Sequence, residues 1–162
     1  MTFYPGFSTD RMDAIFALES RVAAMTRVEA AVASAQGAAG DIPPEAATAI
    51  VTACDLPVGV EILSDGWRVG TPVLGMLDTL RARLPETARE FLHRSLTTQD
   101  VVDTATMLLA VDAVQYLTDL SAGAAASLRG IIQRSGSVAT QARSFLQPAD
   151  VTTVGGSYAA TN

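Results

Sequence analysis

The feature that most constrains the fold is the stretch from Thr97 to Ile132, where the polar run Thr97-Thr98-Gln99-Asp100 opens onto the longest apolar segment of the chain. Thr97 or Thr98 can cap a helix by accepting a hydrogen bond from the free amides of its first turn, and Asp100 in that turn complements the helix dipole. Val101, Ala105, Leu108, Leu109, Leu117, Leu120 and Leu128 then recur at helical spacing as far as about Ile132. The charges within this run are Asp100, Asp103, Asp112, Asp119 and Arg129, so the helix is apolar over most of its circumference. Such a helix needs neighbours on several sides. At 1.5 Å per residue it spans on the order of 50 Å, against a diameter of roughly 40 Å for a compact chain of this size. It is therefore expected to protrude, and the same helix from other copies is the most available cover.

With 162 residues, 49% hydrophobic and 17% charged, the chain can bury a real core. A formal net charge of -6 and a pI near 4.6 argue against nucleic acid and anionic membranes as partners, since neither attracts an acidic surface. All eleven basic residues are arginine. The absence of lysine excludes Schiff-base chemistry and a Walker-type phosphate loop. Cys54 is alone in a run of small apolar residues, which reads as buried packing and neither a nucleophile nor a metal ligand. The N-terminus lacks the pattern of a signal peptide, and aspartates are expected to interrupt every apolar run before it can span a bilayer. A cytoplasmic setting is the expectation.

Taken in order, Ser8-Thr9-Asp10 offers a cap for a helical pattern from Arg11 through Ala39, either one long helix or a short one followed by a long one. Its apolar stripe holds Ile15, Leu18, Val22, Met25, Val28 and Val32, with Arg21, Arg27 and Glu29 expected on other faces. Gly37 and Gly40 weaken and end it. Pro43-Pro44-Glu45 starts a short helix reaching Ala53 or Cys54. A helical turn is expected over Val60 to Ser64 within a loop that Trp67 anchors. Thr71-Pro72 caps a helix through Leu74, Leu77 and Leu80 to Arg83, and Pro85-Glu86 starts a short one that delivers Phe91-Leu92-His93 to the central run. No strand pair with hairpin chemistry is visible, so the fold is expected to be all-α.

His93 is the single histidine and the side chain whose ordinary pKa lies nearest neutrality, which makes it the candidate for acid/base or anion work. Thr97, Thr98 and Gln99 place two hydroxyls and an amide at a helix N-terminus, an arrangement that holds a carboxylate. Capping alone accounts for one of the hydroxyls. Asp100 and Asp103 read as structural, and Asp112 and Asp119 as a solvated stripe or an inter-helix contact.

His93 with Thr97-Thr98-Gln99-Asp100-Val101-Val102-Asp103-Thr104-Ala105 resembles the H-x-G-A-T-S-Q-D-[IV]-[IV]-D-T-A block of the fumarase/aspartase superfamily, most closely its 3-carboxy-cis,cis-muconate cycloisomerase and adenylosuccinate lyase branches. Ser95 replaces the glycine of that block and Leu96 its alanine. A second stretch, Ala142 to Gly156, is similar to G-R-T-[HW]-L-Q-x-A-x-P-T-T-F-G through Arg143, Leu146, Gln147, Ala149, Thr152, Thr153 and Gly155. Phe145 stands where the lyases carry histidine and the cycloisomerases commonly carry tryptophan, which points to the cycloisomerase branch.

The resemblance implies a helical N-terminal domain over 1–96 and the beginning of a long-helix bundle over 97–162. It assigns His93, Thr97, Thr98 and Gln99 to the carboxylates of a dicarboxylic or tricarboxylic substrate, with His93 also the catalytic candidate. Arg143, Ser144 and Gln147 inherit substrate contact. The implied reaction is lactonisation of a carboxylated muconate in aromatic catabolism, with no metal or organic cofactor. The family's third, lysine-containing block is not within these residues, so the resemblance implies a truncated chain that is inactive alone and self-associates through its long helix. The other class consistent with the residues is a non-catalytic oligomeric helical binding or structural module.

Overall fold

The computed structural model describes residues 8–62 and 71–159, and the chain divides into two compact units, Met1–Ala113 and Val114–Asn162. Trp67 and the end of the expected turn at Ser64 lie outside the described residues.

In the first unit, α1 (Asp10–Ile15) starts at Thr9, whose Oγ1 accepts from the Met12 amide at 3.2 Å. A break at Phe16-Ala17 leads into α2 (Leu18–Ala39), so the short-then-long alternative is the one adopted. Gly40 ends α2 at φ 79, a left-handed conformation that costs glycine little, and lets the Asp41 amide return to the Gln36 carbonyl at 2.9 Å. Pro44 opens α3 (Pro44–Asp55), which packs along α2. At the crossing, a Cβ built on Gly37 would lie 2.6 Å from the Ala47 Cβ, so glycine permits the close approach. Thr71 caps α4 (Pro72–Arg83), its Oγ1 accepting from the Val73 amide at 3.2 Å. Arg83 at the far end of α4 donates to the carbonyls of Ala53, Leu56 and Pro57 at 3.1, 3.0 and 2.7 Å, which ties off the end of α3. Four residues, Glu86–Arg89, form α5.

The core joins Val22, Met25 and Val28 of α2 to Ile50 of α3, Met76, Leu77 and Leu80 of α4, and Val101, Ala105 and Leu109 of α6 (Thr98–Ser135). Cys54 is buried among them, as expected of packing; burial and then the charges of Glu29 and Asp55 push its thiol up to about 12. One expectation for α2 is overturned. Glu29 does not lie on an outer face but is fully buried. It sits four residues after Met25 and four before Ala33, within the buried stripe itself.

The 38-residue α6 continues into the second unit. Contrary to the expectation that aspartates break every apolar run, α6 is long and apolar enough by length and composition to cross a membrane, with a mean hydropathy of 1.2 over its most apolar window. Its charges are spaced widely enough to leave such a window. Core helices of soluble bundles meet the same criterion, and α6 buries Val101, Ala105, Leu109 and Ala113 in the first unit.

A third correction concerns the expectation that no strand pair is present. The described chain is mostly helical, but β1 (Ala139–Ser144) and β2 (Gln147–Thr153) form an antiparallel hairpin in register Ala139↔Thr153, Gln141↔Val151 and Ser144↔Gln147, with an irregularity between Gln141 and Arg143. Phe145 and Leu146 make the two-residue loop at φ 47 and 66. Positive φ at both loop positions belongs to the primed turns that match strand twist, which usually use asparagine and glycine. Neither residue type is present, which is why the pattern did not read as a hairpin. A short helix, α7 (Val154–Ala159), follows.

Candidate functional site

The segment between α5 and α6 is fixed at several points. Leu92 is buried in the core, and the Arg94 guanidinium lies 5.6 Å from the centre of the Phe91 ring. The Gln36 side-chain amide of α2 donates to the Arg94 carbonyl at 2.9 Å. His93, between these anchors, adopts φ 63, and its Nδ1 lies 2.6 Å from Oε1 of Glu29. The His93 side chain is 14% exposed and that of Glu29 2%. Burial pushes the Glu29 carboxyl above its ordinary value, while the hydrogen bond and charge of His93 pull it back. Ser95 adopts φ 60. That is a physical reason for the glycine of the family's block at this position, because a left-handed backbone favours a residue without a Cβ.

Thr97 is the N-cap of α6. Its Oγ1 accepts from the Asp100 amide at 3.3 Å, and the Asp100 carboxylate accepts from the Thr97 amide at 2.8 Å and the Thr97 hydroxyl at 3.0 Å. This is a reciprocal capping box with aspartate in the third position. The two Thr97 donors, the backbone amide first, hold the Asp100 carboxyl below the usual carboxylate range. Gln99 donates through Nε2 to Asp103 Oδ1 at 2.6 Å, one turn on.

Thr98 and Gln99 also line a cavity of about 660 Å³, whose wall continues through Val102, Ala105 and Leu109 of α6 and Arg21 and Met25 of α2. The lining is largely apolar with a few polar groups, as in small-molecule sites. Arg21 supplies the cation, a contribution that its expected outward position on α2 gave no reason to anticipate. Glu29 is the other residue that sequence reasoning missed, although its spacing from Met25 and Ala33 carried the signal.

In the second unit, Arg143, Ser144 and Gln147 come together at the hairpin end. Ser144 pairs with Gln147, and Arg143 Nη1 donates to the Leu146 carbonyl at 3.3 Å. All three are exposed, and the Phe145 ring between them is 99% exposed. Among the described residues, no three His, Cys, Asp or Glu side chains converge as metal ligands would.

The fold matches solved structures over nearly the whole chain, and it places this chain in a class: it belongs to the fumarate lyase superfamily. A solved fumarate lyase from Mesorhizobium sp. BNC1 matches 99% of this chain with a TM-score of 0.88 at 30% identity, the match covering 38% of that chain. Trans-aconitate decarboxylase 1 of Mycosarcoma maydis is 31% identical over 157 residues, 92% of this chain and 31% of its own length. The 3-carboxy-cis,cis-muconate cycloisomerase of Bradyrhizobium diazoefficiens is 31% identical over 150 residues, 90% of this chain and 33% of its own length. The chain thus spans about a third of the length of the curated relatives it matches. No family model matches it.

Proposed function

We propose that these residues form the carboxylate-holding part of a 3-carboxy-cis,cis-muconate cycloisomerase-like site. Its reaction is the intramolecular addition of a carboxylate across a double bond of a carboxylated muconate. The reading gives His93 the acid/base or anion-binding role at the reacting end, and Thr97, Thr98 and Gln99 the task of holding a carboxylate by the amides and dipole of α6. Arg143, Ser144 and Gln147 add further contacts to the substrate, and no metal or organic cofactor takes part. Residues 1–96 serve as the helical support and 97–162 as the start of the bundle that carries substrate contacts. A cytoplasmic location fits a step of this kind in aromatic catabolism.

The observation that supports this most directly is the position of Thr98 and Gln99 on the wall of the 660 Å³ cavity beside Arg21, where an apolar body and an anionic group are both accommodated. The Thr97 hydroxyl is engaged in the cap, so its part in binding is to orient the first turn. Relatives that share this stretch bear the names of a decarboxylase and a cycloisomerase, which fits a part of the site that binds carboxylates more than one that decides the reaction.

The 162 residues alone bind polycarboxylates without turning a carboxymuconate over. Titration with citrate tests the binding: Gln99→Ala weakens it by roughly 1.5 to 3 kcal/mol, the usual value of a hydrogen bond to a charged group. Unchanged affinity would leave Thr97–Gln99 a helix cap and favour the non-catalytic helical module. Turnover by the purified chain, abolished in His93→Ala, would overturn the proposal that it is inactive alone.

A further inference from the structure

The buried contact between Glu29 and His93 has two possible proton arrangements. Either the imidazole carries a proton on Nδ1 and donates it to a carboxylate, or a carboxylic acid donates to the lone pair of Nδ1. The two leave opposite chemistry at the other ring nitrogen. With a neutral ring, the first makes Nε2 an acceptor that can take up a proton and then donate to an anion. The second makes it a fixed neutral donor.

We infer that Glu29 is a positioning residue that holds a proton on His93 Nδ1 and so offers Nε2 as the ring nitrogen open to a carboxylate ligand. This rests on the proposed anion site. The geometry carries it: Glu29 Oε1 is 2.6 Å from Nδ1, Glu29 is 2% exposed on a helix packed into the core, and His93 Nε2 makes no hydrogen bond among the described residues. The backbone of His93, at φ 63, is pinned on either side by Leu92 in the core and by Gln36 on the Arg94 carbonyl, which fixes where the ring is attached beside Glu29.

The titratable and charged groups around the pair come from three other elements. Arg81 of α4 acts on Glu29 and favours its carboxylate form. Asp100 at the start of α6 feels the charge of His93. Cys54 of α3, in the field of Glu29, is pushed up to about 12 and stays a neutral thiol near neutral pH. One cationic and one anionic neighbour leave Glu29 as the partner in direct contact with Nδ1. An anion at Nε2 then completes a carboxylate–imidazolium–carboxylate chain, and binding takes up a proton when the free ring is neutral. This is the arrangement by which a second partner fixes the ring and tautomer of a working histidine.

Because His93 is the single histidine, a long-range 1H–15N spectrum of the intact chain contains one imidazole and reads the tautomer without assignment. The neutral wild-type ring is expected as the Nδ1–H form. In Glu29→Leu the Nδ1–H preference is lost and citrate affinity falls about tenfold or more, as for a lost charged hydrogen bond. Glu29→Gln, whose carbonyl can still accept, restores the tautomer and part of the affinity. A residue that only packed would change thermal stability without moving the ring signals. An Nε2–H wild-type ring overturns the inference on its own, even if Glu29→Leu fails to fold. Citrate affinity that depends on His93 but not on Glu29 also overturns it, while the anion site stands. Citrate affinity indifferent to His93→Ala and Gln99→Ala, with the Nδ1–H tautomer lost in Glu29→Leu, overturns the proposed site and leaves Glu29 as what sets the ring.

Discussion

Thr97 and Asp100 satisfy each other at the entrance to the long helix: the Thr97 hydroxyl accepts from the Asp100 amide at 3.3 Å, and the Asp100 carboxylate accepts from the Thr97 amide at 2.8 Å. Two otherwise orphaned donors at a helix start are thereby paired. Thr97→Ala is expected to cost about 1 kcal/mol, measured by urea denaturation. The Asp100 carboxyl has its folded pKa lowered, so its contribution is present above the unfolded value of about 3.9 and lost as pH falls through the folded value. Thermal stability followed between about pH 6 and pH 3 should fall less steeply in Asp100→Asn than in the wild type.

The Glu29–His93 pair makes an opposite prediction. His93→Ala removes the imidazole that counters the desolvation of Glu29 and leaves a buried carboxylate without its side-chain partner, at a cost of about 3 kcal/mol near neutral pH. The Glu29 pKa then rises further above its unfolded value, and the folded state binds more protons than the unfolded one. Stability of the variant therefore falls as pH rises through that window, so it melts higher at about pH 5 than at about pH 8. A variant equally stable at both would show that Glu29 finds another partner.

Ser95 occupies a conformation that favours glycine. Ser95→Gly relieves a left-handed strain of roughly 1–2 kcal/mol, against which the greater freedom of glycine in the unfolded chain costs about 0.4–1 kcal/mol. A net gain of about 0.5–1 kcal/mol is expected from chemical denaturation. A loss of stability would mean that the serine hydroxyl does something the backbone geometry does not explain.

Along α6, Met107, Val111, Val114, Leu117 and Leu120 follow one another at intervals of three or four residues and are each about half exposed or more. A contiguous apolar row of this kind marks an interaction surface, and a second copy of the same helix is its expected cover. Light scattering at micromolar concentration should give a dimer or larger species, reduced by Val114→Glu and Leu117→Glu together with no loss of helical circular dichroism. A clean wild-type monomer would remove the expectation.

Helical class, the order of the helices and the cap at Thr97 were legible in the sequence because each rests on local chemistry. Proline and threonine at Thr71-Pro72 and Pro43-Pro44, glycine at Gly40 and apolar residues at helical spacing act within a few residues of where they stand. The family blocks around His93 and Arg143 were legible for the same reason. What tertiary structure decided were partnerships between distant residues. Glu29 reads as one more surface charge on α2 until His93, 64 residues later, is laid against it at 2.6 Å. Arg21 joins Thr98 and Gln99 only when the fold brings α2 and α6 to the wall of one cavity. The hairpin at Phe145-Leu146 has no turn chemistry of its own, and its strands are almost wholly exposed, so its pattern resembles a loop. Periodicity determines which face of a helix is apolar, whereas the proton a buried carboxylate shares with a ring depends on which atoms the fold brings within hydrogen-bond reach.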